Sequence, residues 1–205
     1  MDNDIERITR RKQERKFLFS DTDFSLTLIK SIDEVPKTVQ QSFGGLEAVL
    51  FYQQNGSISV FRHKDNSLSY IFSCPPSKDN PKYHMHSLVD FDPKDSSVTG
   101  EAFLVFGEDI HNPRSSGLDN VPHTKFTETV NNTGEGLATR RLWTLHRMAL
   151  LMHGKPLYSS TRLEPLMRDL WKKLVAEGLA ESAPESFGKE VYRMKTDEEL
   201  HFFKS

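Results

Sequence analysis

The chain has 205 residues, of which 36 % are hydrophobic, 10 % aromatic and 27 % charged, and its formal net charge is −2 at pH 7. This length suits a single domain, and 14 Phe, 5 Tyr and 2 Trp supply enough apolar area for a core. The near-neutral charge and the aromatic content exclude a wholly disordered chain. The single cysteine, Cys74, excludes an internal disulfide and a zinc site built from several thiolates.

The N-terminal segment 1–20 is locally basic, and we interpret it as an arm that either contacts phosphate or forms a solvated helical lead-in. It has no apolar stretch like that of a secretory signal, and no part of the chain approaches the ~20 apolar residues that span a bilayer. Together with the single cysteine, these features predict a cytoplasmic protein with no membrane partner. Only the arm points to nucleic acid, which we therefore do not expect as a partner.

The first half of the chain predicts strands, because apolar residues occur in short runs that are parted by turn-forming residues. The predicted strands are 24–32, 47–54, 58–63, 68–73, 84–91 and 101–106. The Asn55-Gly56 pair is typical of a tight hairpin turn. These features predict a meander of antiparallel hairpins, followed at 107–124 by a long surface loop.

The second half of the chain alternates strands with helices. Residues 125–130, 156–160 and 191–194 are predicted as short strands. Leucine and methionine recur at helical spacing from Leu137 to Met152, and 163–177 is a second predicted helix that ends at Gly178. Strands first, and then strands alternating with helices, predict an α+β (mixed α/β) fold in one domain that covers 21–205.

A Gly-x-Gly loop lies where the strand 125–130 passes directly into the first of these helices. Glycine allows the backbone to approach a ligand closely, and a helix N-terminus attracts anions. The loop is not a Walker loop, because no Gly-Lys-Ser/Thr follows, and it lacks the third glycine of the dinucleotide-binding fingerprint. The spacing alone therefore fits an anion site and a tight strand–helix turn equally well.

The segment 133–138, Thr-Gly-Glu-Gly-Leu-Ala, resembles the pyrophosphate loop of the GNAT superfamily of N-acetyltransferases, with Gly136 and Ala138 at the fourth and sixth positions of the motif. The helix, short strand and helix that follow are also similar in order and spacing to this family. The second helix carries a Leu-Trp-x-x-Leu segment and a following Gly-Leu-Ala, which resemble diverged, phage-type members. The resemblance covers about 125–195 and implies a GNAT-like fold, with a twisted, mostly antiparallel sheet of six to seven strands flanked by helices.

The same resemblance implies acetyl-CoA as acyl donor and a primary amine, on a small molecule or a protein, as acceptor. It makes 125–195 the cofactor-binding half, in which loop amides and the helix dipole hold the pyrophosphate. The pantetheine arm would lie between 125–130 and 157–160. Arg140 and Arg141 would offset the charge of Glu135 by reaching a phosphate. The residues so assigned to the cofactor are Val130, Thr133, Gly134, Glu135, Gly136, Leu137, Ala138, Thr139, Arg140, Arg141 and Ser160.

Acetyl transfer to an amine needs a base, because an ammonium has no lone pair, and an acid for the departing thiolate. Glu128 is the predicted base, since the resemblance places it on the strand that lines the acceptor side; its alternative is a solvent-facing strand residue. Tyr158 is the predicted acid, because Trp171 stands where the family often has a tyrosine; Tyr192 is a second candidate, and the alternative for each is an ordinary packed or edge tyrosine. Weaker candidates for the base are three further carboxylates, Asp90, Glu101 and Glu108.

Two departures from the family pattern keep a second reading open. Thr133 replaces the Gln or Arg that usually opens the loop, and the indole of Trp171 cannot donate a useful proton. The alternative is a catalytically weak or inactive GNAT-like protein that acts by binding a protein partner, in the host cytoplasm if the chain is viral. His84 and His86 share one strand face, where they could hold a metal or form a polar surface; we expect no metal.

Overall fold

Six antiparallel strands form the main sheet in a computed structural model that describes residues 24–107, 118, 120–129, 137–184, 187 and 190–200, with the backbone alone at 126–129. Each strand pairs with the one before and after it in the chain. The strands are β1 (Thr27–Leu28), β2 (Ser57–Arg62), β3 (Leu68–Cys74), β4 (His84–Asp92), β5 (Ser97–Phe106) and β6 (His123–Thr129). The predicted antiparallel meander is therefore confirmed except at 47–54, which is not one of its strands, while the basic arm 1–20 lies outside the described residues.

Helices cover both faces of this sheet, which confirms the predicted α+β architecture and is compatible with a GNAT-like fold. The helices are α1 (Lys37–Ser42), α2 (Leu46–Asn55), α3 (Leu137–His153) and α4 (Pro165–Ala176). A second sheet contains β7 (Ala180–Ser182) and β8 (Tyr192–Met194), which pair antiparallel.

Two hydrophobic cores follow from the alternation of side chains along the strands. In β3, Ile71 points towards α3 and α4, whereas Tyr70 and Phe72 point towards α1 and α2. The α3–α4 core also contains Leu88, Leu104, Leu142, Leu145, Met148 and Trp171. The core on the other face contains Val39, Val49, Ile58, Val89 and Phe91. The sheet is thus buried between two helical layers.

The prediction of a strand at 47–54 is wrong, because these residues belong to helix α2. Val49 and Tyr52 lie three residues apart and share the buried face, where the Tyr52 ring meets Phe72 edge-on at 5.9 Å. Gly44 and Gly45 adopt positive φ values of 102° and 92°, which turn the chain between α1 and α2. A dense run of apolar residues fits both periods, and packing against the sheet selects the helix.

The predicted strand 24–32 pairs over only two residues, as β1. Ser31 ends it, because its side chain and that of Glu34 form a capping box around the 3-10 turn Ile32–Glu34. The edge of the main sheet is therefore short at this side, which limits pairing with another chain.

Tyr158 joins the main sheet to the second sheet through two single bridges. On one side its backbone N–H donates to Pro122 O at 2.8 Å, and its carbonyl accepts from Thr124 N at 3.0 Å. On the other side Ser159 N donates to Tyr192 O at 2.8 Å, and Met194 N donates to Leu157 O at 2.9 Å. The predicted strand 156–160 is thus reduced to one bridging residue that faces both sheets.

A buried ion pair fastens the start of α3 to the main sheet. Arg141 Nε donates to Asp90 Oδ2 at 2.9 Å, and both side chains are excluded from solvent. The second carboxylate oxygen, Oδ1, accepts from Ser69 Oγ at 2.5 Å, and Ser69 Oγ also contacts His63 Nε2 at 2.7 Å. Arg141 donates further to Thr99 O at 3.2 Å. These hydrogen bonds satisfy a charged pair that burial would otherwise destabilise.

Asp90→Asn is expected to lower the free energy of unfolding by about 3–5 kcal/mol, because Arg141 would stay buried without a counter-charge. Urea denaturation measures this loss. Asp92→Asn is the matched control, since Asp92 lies on the same strand but is half-buried and accepts a local hydrogen bond from Lys94 N at 2.9 Å. A loss for Asp90→Asn no larger than that of the control would contradict the proposed anchoring.

Candidate functional site

The candidate cofactor site lies where β6 and the segment 157–160 part from each other. These two segments pair in parallel orientation at the single bridge His123–Tyr158. The neighbouring strands of the main sheet, by contrast, all pair antiparallel. β6 continues to Thr129 beside β5, whereas 159–162 are outside any strand. The chain enters 130–136 at the end of β6, and α3 begins at Leu137. Among the described residues, the two segments are therefore hydrogen-bonded to each other at this bridge and do not pair further towards the end at which α3 begins.

Five of the eleven predicted cofactor residues precede α3 in the chain. Val130, Thr133, Gly134, Glu135 and Gly136 lie outside the described residues, so their assignment stays a prediction. Leu137, Ala138 and Thr139 form the first turn of α3 and are half-buried. The amides of a first helical turn have no partner within the helix and carry the positive end of its dipole. The turn therefore offers donors to an anion at this position.

The two arginines that follow are placed differently from our expectation. The Arg141 guanidinium is buried in the core and engaged by Asp90, so it is not the free phosphate ligand that we expected. Arg140 Nη1 donates to Asp65 Oδ2 and to Ser67 Oγ, both at 2.8 Å. Its Nε is buried with no hydrogen-bond partner in the described part of the chain. A phosphate contact thus remains open for Arg140 alone.

Tyr158, the predicted acid, lies on the opposite side of its segment from Leu157, which belongs to the α3–α4 core. Its ring packs beside Phe187, with centroids 5.2 Å apart, in a small cluster with Leu118, Val121 and Val191. Burial raises the pKa of Tyr158, against a smaller opposing effect of Arg193. The phenol is therefore protonated at neutral pH, as a proton donor must be.

Ser160 ends the segment with a local turn. Its hydroxyl accepts a hydrogen bond from Arg162 N at 3.2 Å. The helix that follows begins at Pro165, with Glu164 as its N-cap residue, so Ser160 does not cap it. Ser160 is half-buried, and its predicted contact with the cofactor stays a prediction.

The candidate bases fall into different environments. The backbone register sets Glu128 directly opposite Glu101, whose carboxylate accepts a hydrogen bond from Ser42 of α1. Asp90 is held in the core by Arg141 and is therefore unsuited to take a proton from a substrate. Glu108 lies outside the described residues. Glu128 remains the predicted base on the strand that borders the site.

Trp171 is a core residue. Its side chain is excluded from solvent, and its ring stacks on that of Tyr192 with centroids 6.1 Å apart. The indole Nε1 is buried with no hydrogen-bond partner among the described residues. Trp171, which the resemblance places at the tyrosine position of the GNAT superfamily, thus packs α4 against the second sheet.

A third histidine joins His84 and His86, which the sequence had paired on one strand face. His153, at the end of α3, has its ring centroid 5.8 Å from that of His84 and 5.5 Å from that of His86, and it stacks on Phe106 at 4.3 Å. His86 Nδ1 contacts Ser73 Oγ at 2.8 Å. Among the described residues, no group of three or more His, Cys, Asp or Glu side chains is arranged to hold a metal ion. No sequence signal links His153 to this pair, because the contact joins a helix end to a distant strand.

A fourth histidine holds the bridging segment against α3. His146 Nδ1 accepts a hydrogen bond from Leu157 N at 3.2 Å, which requires the neutral imidazole with its proton on Nε2. Burial lowers the pKa of His146 to about 3, helped by the charge of Arg147. The ring therefore stays neutral and fixes Leu157 one residue before the Tyr158 bridge.

Comparison with known proteins yields no relative: no family model, no curated protein and no solved structure matches the chain. Each helix in the described part of the chain is too short or too polar to cross a membrane. The resemblance to the GNAT superfamily stays a prediction that residues 125–195 carry.

The protein is expected to lose stability between pH 6.5 and about 4 through its buried histidines. Burial lowers the pKa of His86 and His153 to about 4, and that of His146 to about 3, from the ordinary value of 6.5. Below pH 6.5 the unfolded chain therefore binds more protons than the folded one. The free energy of unfolding decreases as the pH is lowered, and it levels off below the pKa values of the folded state.

His153→Gln removes one of these groups and should make the decline shallower than in the unmodified protein. Urea midpoints between about pH 7.5 and about pH 5, above the range in which most carboxylates titrate, measure the difference. Equal slopes for the two proteins would contradict the assignment to His153.

Proposed function

We propose that the protein is an acetyl-CoA-dependent N-acetyltransferase of GNAT type, which moves an acetyl group to a primary amine on a small molecule or a protein. The observation that carries the proposal is the single parallel bridge His123–Tyr158, between the two segments that flank α3 in the chain. The cofactor would lie between the two segments beyond this bridge, where they do not pair with each other among the described residues.

The unpaired edges beyond the bridge suit an extended ligand that carries amides. Backbone N–H and C=O groups of the parted segments can pair with such a ligand as a strand pairs with a sheet edge. The pantetheine arm of coenzyme A contains two amides and is extended. The 17-residue helix α3 starts at the same end, where its first-turn amides favour a pyrophosphate. One end of the site thus favours the amides of the cofactor, and the other favours its charge.

The proposed reaction is direct transfer between two bound substrates. Glu128 takes a proton from the ammonium, and the neutral amine then attacks the thioester carbon. The carbon–sulfur bond breaks as the amide forms, and the coenzyme A thiolate leaves. Tyr158 donates its proton to the sulfur, and the second proton that the attacking nitrogen loses as the amide forms returns to the Tyr158 phenolate. The products are the amide and the free thiol, with one proton left on Glu128 to pass to solvent. Orientation of the two substrates supplies most of the acceleration in such a scheme.

A second candidate function is binding of a protein partner on the same scaffold with weak or no catalysis. It is favoured by the position of Trp171 in the core and by the engagement of Arg141 with Asp90. The first leaves the position at which the family often has a tyrosine without a proton donor, and the second removes Arg141 as a phosphate ligand. A cofactor titration followed by an assay of thiol release with a panel of amines separates the two functions.

Gly136→Trp is expected to abolish binding of acetyl-CoA, because a large side chain in the loop would fill the space that the pyrophosphate needs. Isothermal titration measures binding to the unmodified protein and to the variant. Leu166→Trp is the control, since Leu166 is 79 % exposed on α4 and a tryptophan there adds its side-chain volume at the surface. Absence of binding to the unmodified protein at millimolar cofactor would overturn the proposed function.

Tyr158→Phe is expected to lower the rate of thiol release by about 10²-fold or more, the usual contribution of a positioned acid, with an unchanged affinity for acetyl-CoA. The phenyl ring keeps the packing beside Phe187, so folding should be preserved. Tyr83→Phe, on the loop before β4, is the control for loss of a tyrosine hydroxyl. An unchanged rate in Tyr158→Phe would remove this residue from the mechanism.

A further inference from the structure

The turn between β2 and β3 presents one carboxylate oxygen to the first turns of α3. Asp65 Oδ1 accepts hydrogen bonds from Ser67 N at 3.0 Å and from Ser67 Oγ at 2.5 Å. Asn66, between them, has a φ of 68°, so the turn is closed tightly. The other oxygen, Oδ2, is left to accept from Arg140 Nη1 at 2.8 Å. The hydrogen bonds within the turn therefore orient the carboxylate independently of its ion pair with Arg140.

Arg140 is built into the structure at a point where its charge is unfavourable. Its side chain is 8 % exposed, and the N-terminal end of a helix opposes a positive charge. The first turn of α3 has no acidic residue that could compensate. Asp65 supplies the counter-charge, and although its own burial opposes ionisation, hydrogen bonds from Ser67 and the charge of Arg140 lower the pKa of Asp65.

The two adjacent arginines attach α3 to two separate parts of the sheet. Arg141 is bonded to Asp90 on β4, and Arg140 is bonded to Asp65 on the β2–β3 turn. One attachment alone would leave the helix start free to rotate about it. Two attachments fix both the position and the rotation of the turn whose amides follow directly on 130–136.

We propose that Asp65 is a positioning residue for coenzyme A: through Arg140 it fixes the first turn of α3, and it thereby raises the affinity of the site for the cofactor. The inference rests on the proposed function, because it assigns the first turn of α3 to the pyrophosphate. Asp65 itself is 54 % exposed at the outer surface of the turn, so it acts on the ligand through the helix. Alignment of amides with a phosphate is lost when their turn is free to move.

The same contact has an opposite reading, in which Asp65 competes with the phosphate for Arg140. Removal of the carboxylate charge would then free the guanidinium and tighten binding. The deep burial of Arg140 and its second bond, to Ser67 Oγ, favour positioning, because the arginine would have to leave a site that is closed around it to reach a ligand elsewhere. The sign of the change in affinity separates the two readings.

The decisive variant is Asp65→Asn, which keeps the shape of the turn and removes the charge. The chain offers a matched control at the β4–β5 turn, where Asp95 Oδ1 accepts from Ser97 N at 3.0 Å and from Ser97 Oγ at 2.6 Å around Ser96 with a φ of 57°. Asp95→Asn changes the same turn chemistry at a carboxylate that is wholly exposed. Titration with coenzyme A gives the dissociation constant of each protein, at a temperature where all three are folded. Hydrogen exchange of the amides at 137–142 reports on the helix start without any ligand.

The expected result is an affinity for coenzyme A that is about three- to ten-fold weaker in Asp65→Asn, with faster exchange at 137–142, and values for Asp95→Asn that match the unmodified protein. Equal or tighter binding by Asp65→Asn would overturn the positioning role and leave the proposed function intact. Failure of the unmodified protein to bind coenzyme A would overturn the proposed function, and this inference with it.

Discussion

The start of α3 carries two adjacent arginines at the end of a helix where a positive charge is least stable. The fold solves this by burying one of them against Asp90, on the strand at the centre of the α3 face. The pair is satisfied by Ser69 and Thr99, and Ser69 in turn contacts His63. The position of the helix start therefore depends on a buried charge pair and on the polar side chains that satisfy it.

This pairing changes the character of the candidate site. Each of the two arginines is matched by a carboxylate, so in the proposed function the attraction for an anionic cofactor would come chiefly from backbone amides and the helix dipole rather than from free side-chain charge. Such a site distinguishes ligands by shape and by the direction of its donors more than by net charge. The near-neutral charge of the chain as a whole says little about this local arrangement.

Prediction from the sequence was most accurate for elements whose own spacing of apolar residues determines their conformation. Helices α3 and α4 carry strong helical spacing, and Gly178 follows the second within two residues of its end. Helix α2 was predicted as a strand because its apolar residues fit both periods, and packing against the main sheet selects the helix. Strand β7 was not predicted, because its conformation depends on its pairing with β8. The partners of the two arginines could not be predicted either, since Arg140–Asp65 and Arg141–Asp90 span 75 and 51 residues and charged residues of both signs are common along the chain. The predicted cofactor residues at 137–139 come from a local motif, whereas the environment of Arg141 depends on a distant residue.

The double bridging of Tyr158 restricts how this protein can vary in length. The segment 157–159 is hydrogen-bonded to strands on both sides. Leu157 lies in the α3–α4 core, Tyr158 lies in the small cluster with Phe187, and Ser159 is again buried. One residue inserted or deleted here would exchange the faces, driving the phenol of Tyr158 into the α3–α4 core and Leu157 out of it. Changes in length must therefore be confined to the connections around this segment, so that among diverged relatives its spacing to His146 should vary less than the sequence itself.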